Sequence, residues 1–336
     1  RCESRPPTVN PSHLRHLACP KCHSDLTLKA QDSVGARVRS GALDCPRCAV
    51  GYPIREFIPR FVDPDNYAAN FGYQWNRHWQ TQYDSYTGEP ISETRFFAAT
   101  GWPRRMDGEL LLEAGSGSGR FTVVAAATDA CVVSFDYSAA VEANYRNNGH
   151  LPNVLIVQAS ILEMPFRPAY FSRVVCIGVI QHTPDPQRSF ECLSAVVAPK
   201  GSLAVDAYAR LPWWKHLFET KYWVLPITSR LPAPLLYGFC ERWVKLWWPV
   251  TGAFVRLTGR RMLSWFLLMA DYRGVYALPD TIQKEWAILD SFDMLSPTYD
   301  FPQRVEDVRR WFERSRLTDV QVGYGSNGVY GRGVKP

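Results

Sequence analysis

No stretch of these 336 residues approaches the ~18 consecutive apolar residues of a helix that crosses a membrane. No secretory leader is visible, and the chain opens Arg1-Cys2 rather than on Met, so a preceding segment is expected. A disulfide framework is missing too. Of nine cysteines, four form two C-x-x-C pairs, and Cys2, Cys131, Cys176, Cys192 and Cys240 are scattered, which fits reduced cytosolic thiols. Charged residues make up 21% against 46% hydrophobic, a globular rather than a disordered balance. A net charge of +6 permits a polyanionic partner without demanding one. The length allows two or more units around a sizeable core.

What is present centres on Glu109-Leu110-Leu111-Leu112-Glu113-Ala114-Gly115-Ser116-Gly117-Ser118-Gly119-Arg120-Phe121. Leu110 to Leu112 reads as a buried strand and Phe121 to Ala127 as a helix. Strand, glycine loop and helix bring backbone close to a ligand, with amides at the helix start facing it. Cys131 to Asp136 reads as the next strand. An acid some 20 residues past such a loop can accept hydrogen bonds from both ribose hydroxyls, and an ionised carboxylate only accepts. The plainer role for Asp136 is a helix N-cap, for which Ser138 competes. Tyr137 could lie beside an adenine.

The E-x-G-x-G-x-G form resembles motif I of class I S-adenosylmethionine-dependent methyltransferases. Further along, Val154 to Gln158 reads as a third strand. Ser160 and Ile161 follow it, where that family often carries Asp for the adenine amino group; a hydroxyl can still accept. Arg173 to Ile180 reads as a fourth strand, apolar as in a parallel sheet covered on both faces. Gln181-His182-Thr183-Pro184-Asp185 resembles the HH-x-x-D stretch of the type 11 group. Pro199-Lys200-Gly201-Ser202-Leu203 loosely matches its L-K-P-G-G turn, with Pro and Lys swapped.

The resemblance implies an α/β fold: a doubly wound, mostly parallel, seven-stranded Rossmann-like sheet binding S-adenosylmethionine. It implies cofactor contacts from Glu113, Gly115, Ser116, Gly117, Asp136, Tyr137, Ser160, Ile161 and Ile177. Methyl transfer needs a base only where the nucleophile must lose a proton. His182, after the fourth strand, is the candidate; its alternative role is structural.

Ahead of this core, Cys19-Pro20-Lys21-Cys22 and Cys45-Pro46-Arg47-Cys48 have 22 residues between Cys22 and Cys45. Two such knuckles fit a closed, structural four-cysteine zinc site rather than a redox pair. A ribbon this small implies that the metal supplies its folding energy. With Gly51 to Ile54 and Ile58 to Phe61, it resembles the zinc-ribbon activators that partner RNA and protein methyltransferases. The expected units are a ribbon over 12–63, a helical cover over 64–107, the core over 108–209 and 300–336, and a cap over 210–299. In the cover, Tyr73, Gln74 and Arg95 are candidates for the methionine end of the cofactor, where a guanidinium suits a carboxylate; the alternative is aromatic packing with a surface arginine.

Residues 210–270 hold seven tryptophans and nine basic residues against Glu219 and Glu241, a local charge of +7. Leu235, Leu236, Phe239, Trp243 and Leu246 fall at helical spacing. Such a segment can lie in a membrane interface, stack on bases, or simply cap a substrate. Ile288 to Asp300 reads as an irregular, Pro-broken stretch, where Asp293, Tyr299 and Asp300 are either substrate-facing or caps and turns. A helix from Val305 to Ser315 and a terminal strand complete the fold. The favoured expectation is a cytoplasmic methyltransferase of a small or lipid-linked acceptor, peripheral contact with the inner face of a membrane being open. The rivals are an RNA base methyltransferase that uses the ribbon for recognition, and a non-catalytic scaffold.

Overall fold

The computed structural model describes residues 11–63, 66–210 and 220–336. Trp213, Trp214, Lys215 and Glu219 of the basic aromatic segment, and Pro64 and Asp65 of the linker, lie outside the described residues. After the short helix α1 (Pro11–Leu14), an antiparallel sheet runs in spatial order β1 (Thr27–Val34), β2 (Arg37–Cys45), β3 (Val50–Arg55) and β4 (Ile58–Pro59). Strand alternation turns Leu43, Cys45, Tyr52 and Ile54 inward. That face is no separate core. Leu17, Leu43 and Ile54 join one continuous apolar cluster with Leu112, Phe135, Phe166 and Phe312 of the large sheet and its helices. Phe61 N also donates to Gln158 O, and Arg60 Nη1 to Gln158 Oε1, both at 2.8 Å. Shared packing therefore adds to whatever the metal contributes to the ribbon.

Helices α2 (Ala69–Arg77), α3 (Asp84–Thr87) and α4 (Ile91–Thr100) come next. The core then alternates β5 (Leu110–Ala114), α5 (Arg120–Ala126), β6 (Cys131–Asp136), α6 (Val141–Asn148), β7 (Val154–Gln158), β8 (Phe171–Ile177), α7 (Pro186–Val196) and β9 (Val197–Ala207). The insert carries α8 (Lys221–Thr228), α9 (Ala233–Thr258), α10 (Met262–Phe266) and α11 (Asp280–Leu295); α12 (Val305–Arg314), β10 (Thr318–Gly325) and β11 (Gly328–Val334) close the chain. The seven strands lie in the order β10-β11-β9-β8-β5-β6-β7. β5 to β9 are parallel, and β11 runs antiparallel to β9. Strand order reverses at β5/β8, so a crevice opens beyond their carboxyl ends. Fully buried Phe135, Phe171, Phe190 and Phe312 pack the faces, each contributing about 1.5–3 kcal/mol of apolar burial.

Three local expectations change. The fourth strand stops at Ile177 rather than Ile180, because Gly178 turns to φ +73° and a tight turn spans Ile180–His182. The stretch read as irregular from Ile288 is helical up to Leu295, where α11 ends shortly before Pro297. And the apolar stripe of the insert does not all face the protein: Leu236 is buried, but Leu235, Phe239 and Leu246 are exposed. The buried face of α9 is Leu236, Tyr237, Cys240, Val244 and Trp248. This helix is apolar on two sides, and periodicity alone does not say which side meets the core.

Candidate active site

A cavity of about 470 Å³ opens at the carboxyl ends of the central strands, a size suited to a small-molecule ligand. One half is built by the glycine loop. Gly115 sits at φ +79°, and a Cβ there would lie 2.4 Å from Val179. A Cβ on Gly117 would lie 3.1 Å from the Trp75 ring, so backbone rather than side chain faces the cavity. The loop is held from behind by α6: Asn147 Nδ2 donates to Ser118 O and Asn148 Nδ2 to Gly119 O, each at 2.9 Å.

The two acids read from sequence part company. Glu113 is buried behind the loop and does not line the cavity. Thr122 Oγ1 and Ser134 Oγ both donate to its Oε2. Burial nevertheless pushes its pKa up to about 7. Asp136 does line the cavity. Its Oδ2 accepts from Gly117 N at 2.9 Å, and its Oδ1 from Ser138 N at 2.8 Å and Ser138 Oγ at 2.7 Å. Burial raises its pKa, and those donors oppose the rise. Three donors leave part of a carboxylate's accepting capacity to a ligand. Gly115, Ser116, Tyr137, Ser160, Ile161 and Ile177 line the same cavity. Tyr137 packs on Tyr67 with ring centroids 4.8 Å apart, and Ser160 Oγ accepts from Leu162 N at 3.1 Å.

The helices ahead of the core reach the cavity, but not with the face the sequence suggested. Phe71 and Trp75, four residues apart on α2, line the cavity, whereas Tyr73 and Gln74 do not. Tyr73 packs on Tyr237 and Phe292, and Gln74 Nε2 donates to Asp293 Oδ1 at 2.8 Å. Arg95 lines the cavity, but its guanidinium is already paired with Asp206, Nη2 to Oδ2 at 3.0 Å. The cation the sequence reading missed is Arg120. It lines the cavity and forms no ion pair among the described residues; burial, with Arg95 second, lowers its pKa to about 10, against the weaker pull of Asp290 and Asp206. Its position directly after the last loop glycine was the available signal.

His182 is buried on the cavity wall, between Phe71 and Tyr208. Its Nδ1 lies 3.0 Å from Tyr299 O. A carbonyl only accepts, so Nδ1 carries a proton, and in the neutral ring the lone pair is on Nε2. Tyr299 thus serves through its backbone; its ring packs on Tyr67 and Phe301, off the cavity lining. Asp300 is also off the lining, its Oδ2 paired with Lys221 Nζ at 2.7 Å, and Lys221 lines the cavity.

The other half of the cavity comes from Tyr208, just past β9, and from the insert, with Tyr272, Tyr276 and, on α11, Trp286, Asp290 and Asp293. Tyr208 OH donates to Asp293 Oδ2 at 3.3 Å. Asp290 was missed in a stretch that reads as broken. Its Oδ1 accepts from Gln82 Nε2 at 3.0 Å, and its Oδ2 from Trp286 Nε1 at 2.8 Å and from Tyr272 OH. Burial first, and Asp293 second, raise its pKa to about 7. Outside the cavity lining, the sulfurs of Cys19, Cys22, Cys45 and Cys48 all lie within 4.8 Å of one another. A tetrahedral ion with bonds of about 2.3 Å fits that spacing.

Residues 112–205, which carry the loop, Asp136 and His182, match the family model of a methyltransferase domain. This part of the chain is a methyltransferase domain. An uncharacterized protein of a Synechococcus strain is 28% identical over 146 residues, 42% of this chain and 32% of the relative. The chain thus spans about a third of that curated relative. Among solved structures, a SAM-dependent methyltransferase of Thermotoga maritima is 13% identical, with 80% of this chain and 99% of that one covered and a TM-score of 0.43. A chain from the complex of the Haloferax volcanii Trm112 methyltransferase activator with a methyltransferase is 12% identical, covering 82% and 99%, with a TM-score of 0.40. Phosphoethanolamine N-methyltransferase 1 of Haemonchus contortus is 17% identical, covering 45% and 34%, with a TM-score of 0.35.

Proposed function

We propose that the protein transfers a methyl group from S-adenosylmethionine to a small or lipid-linked acceptor held in the aromatic, acidic half of the cavity. The observation that carries this reading is one cavity shared by Gly115 to Ser118, Asp136, Ile177 and His182 of the methyltransferase domain and by the tyrosines and carboxylates of the insert and α11. The residues fit the cofactor. Gly115 and Gly117 present bare backbone to the cavity, since a Cβ would strike Val179 or the Trp75 ring, Asp136 retains accepting capacity for a ribose, and Arg120 offers a guanidinium in no ion pair among the described residues. In this reading Arg120 takes the methionine carboxylate, because Arg95 is engaged by Asp206. When bound, the cofactor supplies an already activated methyl on a sulfonium.

The chain's own residues then align the acceptor, exclude water and take a proton where one must leave. Phe71 and Trp75 cover the loop side, and His182 Nε2 is the lone pair available as acceptor. Asp293, joined by Asp290 as that carboxyl ionises above about pH 7, favours a cationic or hydroxyl-bearing acceptor over a polyanion such as RNA, whose phosphates these acids would repel. The four cysteines are assigned to a structural zinc ion, with no position left open for chemistry.

Calorimetric titration with S-adenosylhomocysteine tests the cofactor assignment. The native chain should bind with micromolar affinity, and Asp136→Ala and Arg120→Ala should each weaken binding about tenfold or more, since each removes a charge-assisted hydrogen bond. Unchanged titrations for both variants would refute it.

A further inference from the structure

The exposed apolar residues of this protein are concentrated rather than scattered. On α9, Leu235, Phe239, Leu246, Val250 and Leu257 are exposed, Leu246 at 66% and Leu257 at 86%. These positions recur every three to four residues or one multiple of that, with exposed Arg242 and Ala253 completing the row. They form a single stripe opposite the buried Leu236, Cys240, Val244 and Trp248. The flanking helices continue the character: Trp223 and Ile227 are each 67% exposed on α8, and Met262, Trp265 and Phe266 are exposed on α10. Isolated exposed apolar residues need no explanation, but a stripe along a whole helix does.

The charge around the stripe is of one sign. From 221 to 270 there are Lys221, Arg230, Arg242, Lys245, Arg256, Arg260 and Arg261 against Glu241 alone. Lys245 is paired with Glu241 and Lys221 with Asp300, while Arg242, Arg256 and Arg260 have no carboxylate partner among the described residues. No helix among the described residues is long and apolar enough to cross a membrane. A long helix with an apolar outer face, tryptophans beside it and uncompensated arginines has the composition of one lying flat in an anionic lipid interface.

We propose that α9, with α8 and α10, is the surface by which the protein docks on anionic membranes. The charge excludes the obvious rival occupant, a second copy, which would set this basic segment against itself. Rings do lie in the patch, at Phe239, Trp223, Trp265 and Phe266, but Leu246, Val250 and Leu257 make up most of the stripe itself and give a nucleic-acid base nothing to stack on. Docking also bears on the reaction. Lys221 and Ala270, at the two ends of the segment, both line the cavity. The element in the interface is therefore tied to the acceptor chamber at both ends. Resting on the methyltransferase reading, this makes the acceptor an amphiphile whose apolar part stays in the bilayer while its polar head enters the chamber.

Flotation of the full chain tests the surface, using vesicles of phosphatidylcholine alone and of phosphatidylcholine mixed with phosphatidylglycerol. Native protein should float with the anionic vesicles, far less with the neutral ones, and should be released by salt. The triple variant L246E/V250E/L257E alters exposed positions only. It should lower partitioning about tenfold or more while leaving the thermal melt and the S-adenosylhomocysteine titration unchanged. R256E/R260E should abolish the preference for anionic lipid. Absence of flotation with either vesicle, from protein that still binds S-adenosylhomocysteine, would overturn the proposal. So would a concentration-dependent dimer that the triple variant dissociates, or salt-sensitive RNA binding, in a protein that ignores vesicles. Vesicle binding with a silent S-adenosylhomocysteine titration would instead leave the surface standing and remove the amphiphilic acceptor.

Discussion

Glu113 and Asp136 lie at the carboxyl ends of neighbouring strands, the penultimate residue of β5 and the last of β6, yet one is walled in and the other meets the cavity. Glu113 fastens β5 to α5 and β6 through Thr122 and Ser134. Its carboxyl titrates near 7 in the native state against an ordinary 4.5. Between those values the native state holds a proton that the unfolded chain releases, so this stabilising contribution is present below about pH 4.5 and lost as pH rises towards 7. The loss amounts to roughly 3 kcal/mol. Glu113→Gln should therefore flatten the fall of the urea midpoint over that window; a slope equal to that of the native protein would contradict the assignment. The residue scale is also where the sequence misled. Arg95 and Arg120 are both arginines near the loop, and only folding reveals that Asp206 forms an ion pair with the first, while the second has no ion pair among the described residues.

At the scale of elements, most boundaries were legible. β6 and β7 run over the residues their apolar runs and terminal polar residues mark, Cys131–Asp136 and Val154–Gln158. Faces were harder. On α2 a rotation of one to two residues separates Phe71 and Trp75, in the cavity, from Tyr73 and Gln74, outside it, and both pairs are aromatic or polar enough to suit a ligand. On α11 the carboxylates Asp290 and Asp293 reach the chamber from a helix whose fully buried Phe292 packs on Tyr73 and Tyr237. Phe292→Ala should cost about 3–5 kcal/mol of stability. By loosening the helix that presents both acids, it should impair acceptor methylation more than S-adenosylhomocysteine binding, which a labelled-methyl assay beside calorimetry would resolve. In the ribbon, metal analysis should find one zinc per chain, lost when Cys22→Ser and Cys48→Ser are combined; full retention of zinc would exclude the four-sulfur site.

For the whole molecule, the ribbon and the large sheet share one apolar cluster. They should unfold together. Leu43→Ala, deep in the ribbon, should lower the single melting transition of the entire chain by an amount corresponding to about 2–5 kcal/mol. Two calorimetric transitions, with only the smaller one moved, would show that the ribbon stands alone.

The sequence by itself determined the sheet, the loop and the cysteine cluster. Each depends on local pattern: apolar runs, glycines where a side chain would collide, and paired C-x-x-C knuckles. Only the tertiary structure decided which arginine a carboxylate engages in an ion pair, which face of α2 meets the cavity, that Asp290 joins Asp293 in the chamber, and that α9 turns an apolar stripe outward. The physical reason is common to all four. A periodic helix specifies that a face exists, but its neighbour in space, often a hundred or more residues away in the chain, decides whether that face is buried, paired or left open.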